Sequence, residues 1–274
     1  MTAFEILLPA FVASLILTGI HAYLGVHVVE RGVIFVDLSL AQIAALGTTV
    51  AYLAGYDLHS TSAYLFSLGF TFLGAAIFAM SRMHRKTRIP QEAVIGIVYA
   101  VSAAVAILVM SKATQETEHL KEMLVGNILS VSWPELIKTA VLYALVGLFH
   151  FVFRRRFLLL SMNEQEAERQ GVNIRFWDFL FYMSFGFVVT SSVAIAGVLL
   201  VFCFLIVPSV TAMLFSERLG VRLAIGWTMG ALVSAGGVGL SFILDLPTGA
   251  TIVATFGGVL LVLAGLRLLV RKTA

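Results

Sequence analysis

A single cysteine, Cys203, stands in the chain, so no internal disulfide forms and cysteine usage does not report the redox compartment. Charge is scarce. Asp, Glu, Lys and Arg make up 12% of the residues, against roughly 25% in a soluble domain. With 60% hydrophobic residues and a mean hydropathy of +1.00, most of the surface does not meet water. No lysine follows a glycine, so the GxxxxGK[ST] loop that cradles nucleotide phosphates is missing. HExxH and CxxC are missing too, which removes the standard zinc-enzyme patterns, and there is no GxSxG nucleophile elbow. No basic residue precedes Arg31, so the N-terminus lacks the positive region of a secretory signal. Alternating ten-residue segments are absent, which argues against a lipid-facing barrel.

What fills the 274 residues is a series of apolar runs, each about 20 residues long, the length that carries a helix across hydrocarbon. They cover 4–29, 33–55, 61–80, 90–110, 136–153, 176–215, 222–244 and 248–270. The run 176–215 is long enough for two crossings, with a break expected among the small residues of 191–197 and a kink at Pro208. The expectation is an all-α membrane bundle of nine helices, or eight if one is re-entrant, in one domain over 1–274. Gly226, Gly230 and Ser234 fall four apart and predict a small-residue face for close helix packing.

Basic residues set the orientation. With the N-terminus outside, 15 of the 18 Lys and Arg residues fall on inner segments: Arg31, 82–88, 154–175, 218–222 and 267–272. That is the bias of a cytoplasmic face, and it puts the C-terminus inside. Within 161–171 (SMNEQEAERQG), Ser161 followed by Glu164 reads as a capping box and Gly171 as a helix end. A short helix over 162–170, outside the membrane and after three arginines, suits docking onto a cytoplasmic protein. The docking residues expected are Glu166, Ala167 and Gly171, with Ser216, Glu217 and Arg218 in the other inner polar turn.

Asp37 is the leading candidate for a functional group. It follows the charged pair Glu30–Arg31 and the turn at Gly32. In a continuous helix it would stand about 9 Å beyond Arg31. An acid at that depth costs a few kcal/mol in lipid, so it faces a protein interior or a water path. It is either a cation contact on a pathway or a neutral, hydrogen-bonded acid that locks two helices; on the residues alone both readings stand. His21 and His27, six apart, read as packing residues. Glu116, Glu118, His119 and Glu122 hold the atoms for a metal, but read better as a solvated loop that meets a partner. Ser191 or Ser192 with His150 is the one imaginable protease pair, and hydroxyls in membrane helices are mostly packing groups.

Five stretches in order, LGVHVVERGVIFVDLSLAQIAALG, LVGNILSVS, NEQEAERQGVN, AGVLLVFCFLIVPSVTAMLF and LDLPTGATIV, resemble the membrane permease subunits of metal-ion ABC importers for zinc, manganese or iron(II). The resemblance implies a type II importer fold and a non-enzymatic transport subunit without a cofactor of its own. It implies cytoplasmic ATP-binding subunits, an extracytoplasmic metal-binding protein, a second permease as a copy or paralogue, and the bacterial inner membrane. Nucleic acid has no place in it. The family's second crossing commonly carries Asp and His four apart as a metal-ligand pair. Here Asp37 is kept and Ala41 stands at the His position. The reading opposed to this one is a stand-alone secondary transporter or channel for a small cation.

Overall fold

The structure, a computed structural model, describes residues 3–57, 60–82, 89–111 and 128–273. Ten α-helices account for nearly all of them, and no strand occurs among the described residues. They are α1 (Ala3–Arg31), α2 (Val36–Leu53), α3 (Thr61–Ser81), α4 (Gln91–Met110), α5 (Trp133–Val152), α6 (Arg154–Met162), α7 (Glu164–Arg169), α8 (Ile174–Phe215), α9 (Leu219–Leu244) and α10 (Thr248–Thr273). A single 3₁₀ turn, Ile128–Ser130, precedes α5. Eight of the helices are long and apolar enough to cross a membrane. The cluster Glu116 to Glu122 and the basic residues Arg85, Lys86 and Arg88 lie outside the described residues.

Helix α8 has 42 residues, or about 63 Å at 1.5 Å per residue, twice a ~30 Å hydrocarbon core. Its one non-helical residue is Gly197, with φ 74° and ψ 162°, a conformation open to glycine and costly for other residues. The break therefore falls at the end of the small-residue stretch that predicts it, while the helix runs on through Pro208.

The chain divides into two compact units, one of 1–29, 124–144 and 194–274, the other of 30–123 and 145–193. Three of the four divisions fall inside α1, α5 and α8, and the sequence reads as one domain.

In the first unit, small residues let helices approach closely. On α9, Gly226 faces Ala22 and Pro208, and Gly230 faces Thr18 of α1. Trp227 Nε1 donates to the Gly19 carbonyl at 3.0 Å. Gly25 of α1 lies against the Leu205 carbonyl and Ser209 Oγ, and Ser209 Oγ donates to the Ala22 carbonyl at 3.2 Å. A Cβ at position 25 has no room because backbone blocks it. Gly25→Ala is expected to cost about 1–3 kcal/mol, the price of overpacking, measured as a lowered melting temperature of the purified protein. His21 is fully buried with Nδ1 2.7 Å from the Leu17 carbonyl and its ring edge toward Tyr143, a satisfied packing group as expected.

In the second unit α2 packs on α3 and α4. Gly47 meets the backbone of Phe66 and Ser67, and Ser67 Oγ donates to the Ala44 carbonyl at 3.0 Å. Helix α3 meets the first part of α8 through Thr71 and Thr190, 3.3 Å apart, with Gly186 leaving space for the Thr71 methyl. Phe149, Phe153, Phe157, Trp177 and Phe181 form a continuous run of ring contacts. His150 stacks on Phe157 at 4.4 Å and lies 2.8 Å from Ser184 Oγ. Ser191 and Ser192 donate instead to carbonyls of their own helix. The hydroxyl 2.8 Å from His150 is thus that of Ser184, outside the imagined protease pair, and the imidazole is buried at 1% exposure.

Candidate functional site

The α1–α2 connection is built as its residues dictate. Helix α1 ends at Arg31 and Gly32 takes φ 67°, a left-handed turn suited to glycine. Residues 33–35 are not helical, and the Val36 N–H closes a tight turn on the Val33 carbonyl at 3.1 Å. Asp37 therefore sits in the first turn of α2 rather than well inside a continuous helix. The end of a helix with unpaired N–H groups favours a negative charge. Phe35, the residue that caps α2, brings no side-chain hydrogen bond of its own. Glu92 of α4 reaches across and accepts the Phe35 N–H at 3.0 Å through Oε1.

Asp37 is 1% exposed, and its Oδ1 has no hydrogen-bond partner among the described residues; nor do Ser39 Oγ and Glu92 Oε2. Buried polar groups are normally paired, and an ionised carboxylate without a counter-charge costs several kcal/mol there. The Asp37 carboxyl is closed to solvent in this conformation. Ala41, one turn on, is buried and brings no ligand.

A second cluster lies at the same end of this unit. Asp178, fully buried near the start of α8, binds two arginines. Arg31 Nη1 donates to Oδ1 at 2.7 Å, and Arg82 Nη1 donates to Oδ1 at 2.7 Å and Oδ2 at 2.6 Å. Arg31 is 1% exposed in its side chain, donates through Nε to Ser161 Oγ at 2.8 Å, and lies 3.9 Å over the Phe181 ring. Arg82 donates through Nε to Glu164 Oε1 at 3.1 Å, with the Leu160 carbonyl 3.5 Å from its Nη2. Burial works against the charge of Arg82, but Asp178 and Glu164 outweigh it and hold the guanidinium above its usual range. Three segments that the basic residues place on one face, around Arg31, Arg82 and 154–175, are joined here by ion pairs.

The short helix is α7, Glu164–Arg169, and its cap is Asn163, whose Oδ1 accepts the Glu166 N–H at 3.1 Å. Ser161 is not the cap. It belongs to α6 and its Oγ is the acceptor for Arg31, while Asn163 has the non-helical backbone a cap requires. Gly171, at φ 67°, ends the helix as the sequence predicts, with the Val172 N–H on the Ala167 carbonyl at 3.0 Å. Gly171 is exposed, Glu166 is partly exposed, and Ala167 is fully buried. In the other unit, Glu217 and Arg218 are exposed and Ser216 is partly so. The Ser216 carbonyl accepts from Arg222 Nε at 2.7 Å, which fixes the turn.

Sequence reasoning singles out Asp37 but passes over Asp178 and Glu92. The same signal marks all three: an acid close to the start of a long apolar helix.

Comparison with known proteins gives consistent relatives. The manganese transport system membrane protein MntC of Listeria innocua is 27% identical over 244 residues, covering 89% of this chain and 84% of that protein. A protein of Haemophilus influenzae named "Probable iron transport system membrane protein" is 29% identical, covering 91% of this chain and 89% of its own length. In the solved structure of PsaBC from Streptococcus pneumoniae in complex with Fab, one chain superposes with a TM-score of 0.76 at 23% identity, covering 95% of this chain and 91% of that one, a likeness of fold. The model of the ABC 3 transport family matches residues 3–266, and the chain belongs to that family.

Proposed function

We propose that this chain is the permease subunit of an ATP-driven importer for a divalent metal ion. The observation that carries the reading is the family match over nearly the whole length. Relatives named for manganese and iron transport favour those two ions over zinc. Asp37 is the cation contact on the path, supported by its burial and its unpartnered oxygen. The ion is cargo. It reaches Asp37 only when the helices around the α1–α2 turn part, since the acid is sealed here.

ATP is hydrolysed by separate cytoplasmic subunits, because this chain carries no phosphate loop. They dock on Glu166 and Gly171, and on Ser216, Glu217 and Arg218, while buried Ala167 props α7 from beneath. An extracytoplasmic binding protein delivers the ion, and a second permease, copy or paralogue, completes the path. The protein sits in the bacterial inner membrane, with its N-terminus outside and its C-terminus in the cytoplasm.

The test is reconstitution in lipid vesicles of the chain with its ATP-binding subunit. ATP-dependent uptake of manganese(II) or iron(II) is expected. Uptake by the chain alone, driven by a gradient and indifferent to ATP, would establish a secondary transporter instead. For the docking face, Gly171→Trp is expected to lower uptake per ATP hydrolysed about tenfold, within the usual range of coupling energies. Gly171→Asn, which tolerates the left-handed backbone, controls for strain and stays near wild type.

A further inference from the structure

The buried arginine cluster does more than hold an end of the second unit together. Arg82 touches three elements at once: Glu164 of α7, the Leu160 carbonyl of α6 and Asp178 of α8. Arg31 shares Asp178 and adds Ser161 of α6. Beyond Arg31 the chain has no slack. Gly32 turns it, the Val33–Val36 bond tightens it, and Asp37 follows six residues on. From the opposite side Glu92 pins Phe35. A displacement of α6–α7 therefore pulls on Arg82 and Arg31 before it can pull on anything else in the connection.

We propose that Arg82 is a positioning residue for transport: with Asp178 as the shared hub, it ties the ATPase-docking segment to the turn that carries Asp37. The assignment rests on the transporter reading above. It touches neither ion nor nucleotide; its effect is on how faithfully one event follows the other. Spatial continuity alone does not establish coupling, so the measurement must read coupling itself.

The experiment uses the whole complex in vesicles, with manganese(II) as the probe, and measures ATP hydrolysed per ion taken up, alongside assembly and melting temperature. Arg82→Gln leaves Asp178 paired with Arg31, so the complex is expected to assemble while the ratio rises about tenfold. Arg82→Lys falls between, since an ammonium cannot reproduce the fork that grips two carboxylates. Adding Glu164→Gln to Arg82→Gln changes nothing further, because both cut one linkage. An unchanged ratio in an assembled Arg82→Gln complex overturns the proposal. Should Arg82→Gln fail to assemble, Glu164→Gln decides, since that side chain is 47% exposed: a raised ratio supports the tie, an unchanged one overturns it. A wild-type complex that hydrolyses ATP without uptake removes the transporter reading and this inference together, a result distinct from an unchanged ratio.

Discussion

Asp37→Asn is expected to abolish metal uptake while the complex assembles at wild-type yield. The side chains are nearly isosteric, and Oδ1 has no hydrogen bond to lose. Packing around position 37 is therefore kept and only the charge goes. Disturbing even the outer groups of a metal site costs 10–100-fold, so removing a charged contact is expected to cost about 100-fold or more. Uptake of manganese(II) and iron(II) into vesicles, normalised to assembled complex, checks it. If folded protein and uptake fell in parallel, Asp37 would be a packing residue and the path would lie elsewhere. Ala41→His, which restores the family's Asp–His spacing, makes the complementary test: a change in the preferred ion would place the cargo beside α2.

Asp178→Asn is expected to damage the protein itself. Asp178 is fully buried, with Arg31 at 1% and Arg82 at 11% side-chain exposure around it. Without the carboxylate, two guanidiniums face each other, and only Glu164, half in solvent, remains. Removing one partner of a buried ion pair costs about 3–5 kcal/mol, or on the order of 10 °C in melting temperature for a chain of this size. Asp178→Glu keeps the charge and is expected to lose far less. A melting temperature unchanged in Asp178→Asn would mean that water already screens the cluster.

Most of the fold was open to reading from hydropathy, because crossing hydrocarbon demands one long apolar helix after another and little else meets the demand. The gathering of the basic segments was open for a related reason. Arg31, Arg82 and the 154–175 segment carry charge that does not enter lipid, and the ion pairs bring those three together. The interior of the cluster was hidden. Asp178 lies 147 residues from Arg31, and nothing local in RFWDFLF announces a partner so distant. Ser161 misled for the opposite reason: its spacing to Glu164 fits a local cap, yet a buried guanidinium outbids a backbone N–H for its oxygen, and Asn163 takes the role. The three arginines at 154–156 follow the end of the apolar run in the sequence and begin α6 in the structure. Ala167 was expected on a contact face and is buried, since a helix of six residues must turn some side chain inward to stay folded. Asp37 stands nearer the start of its helix than an apolar run begun at residue 33 suggests, because residues 33–35 look helical by composition and form the turn.

Helix α10 carries a last consequence. Only 11% of its most apolar window is buried within the chain, and Leu261, Val262, Leu266, Leu268 and Leu269 all point outward. Nothing among the described residues shields that flank, so acyl chains or a further polypeptide segment must wet it. Extraction replaces the natural wetting layer with a micelle of another thickness, and mismatch in thickness carries its own energetic penalty. Heat resistance recorded in one detergent is then partly a property of the detergent, and ranking variants demands a common bilayer.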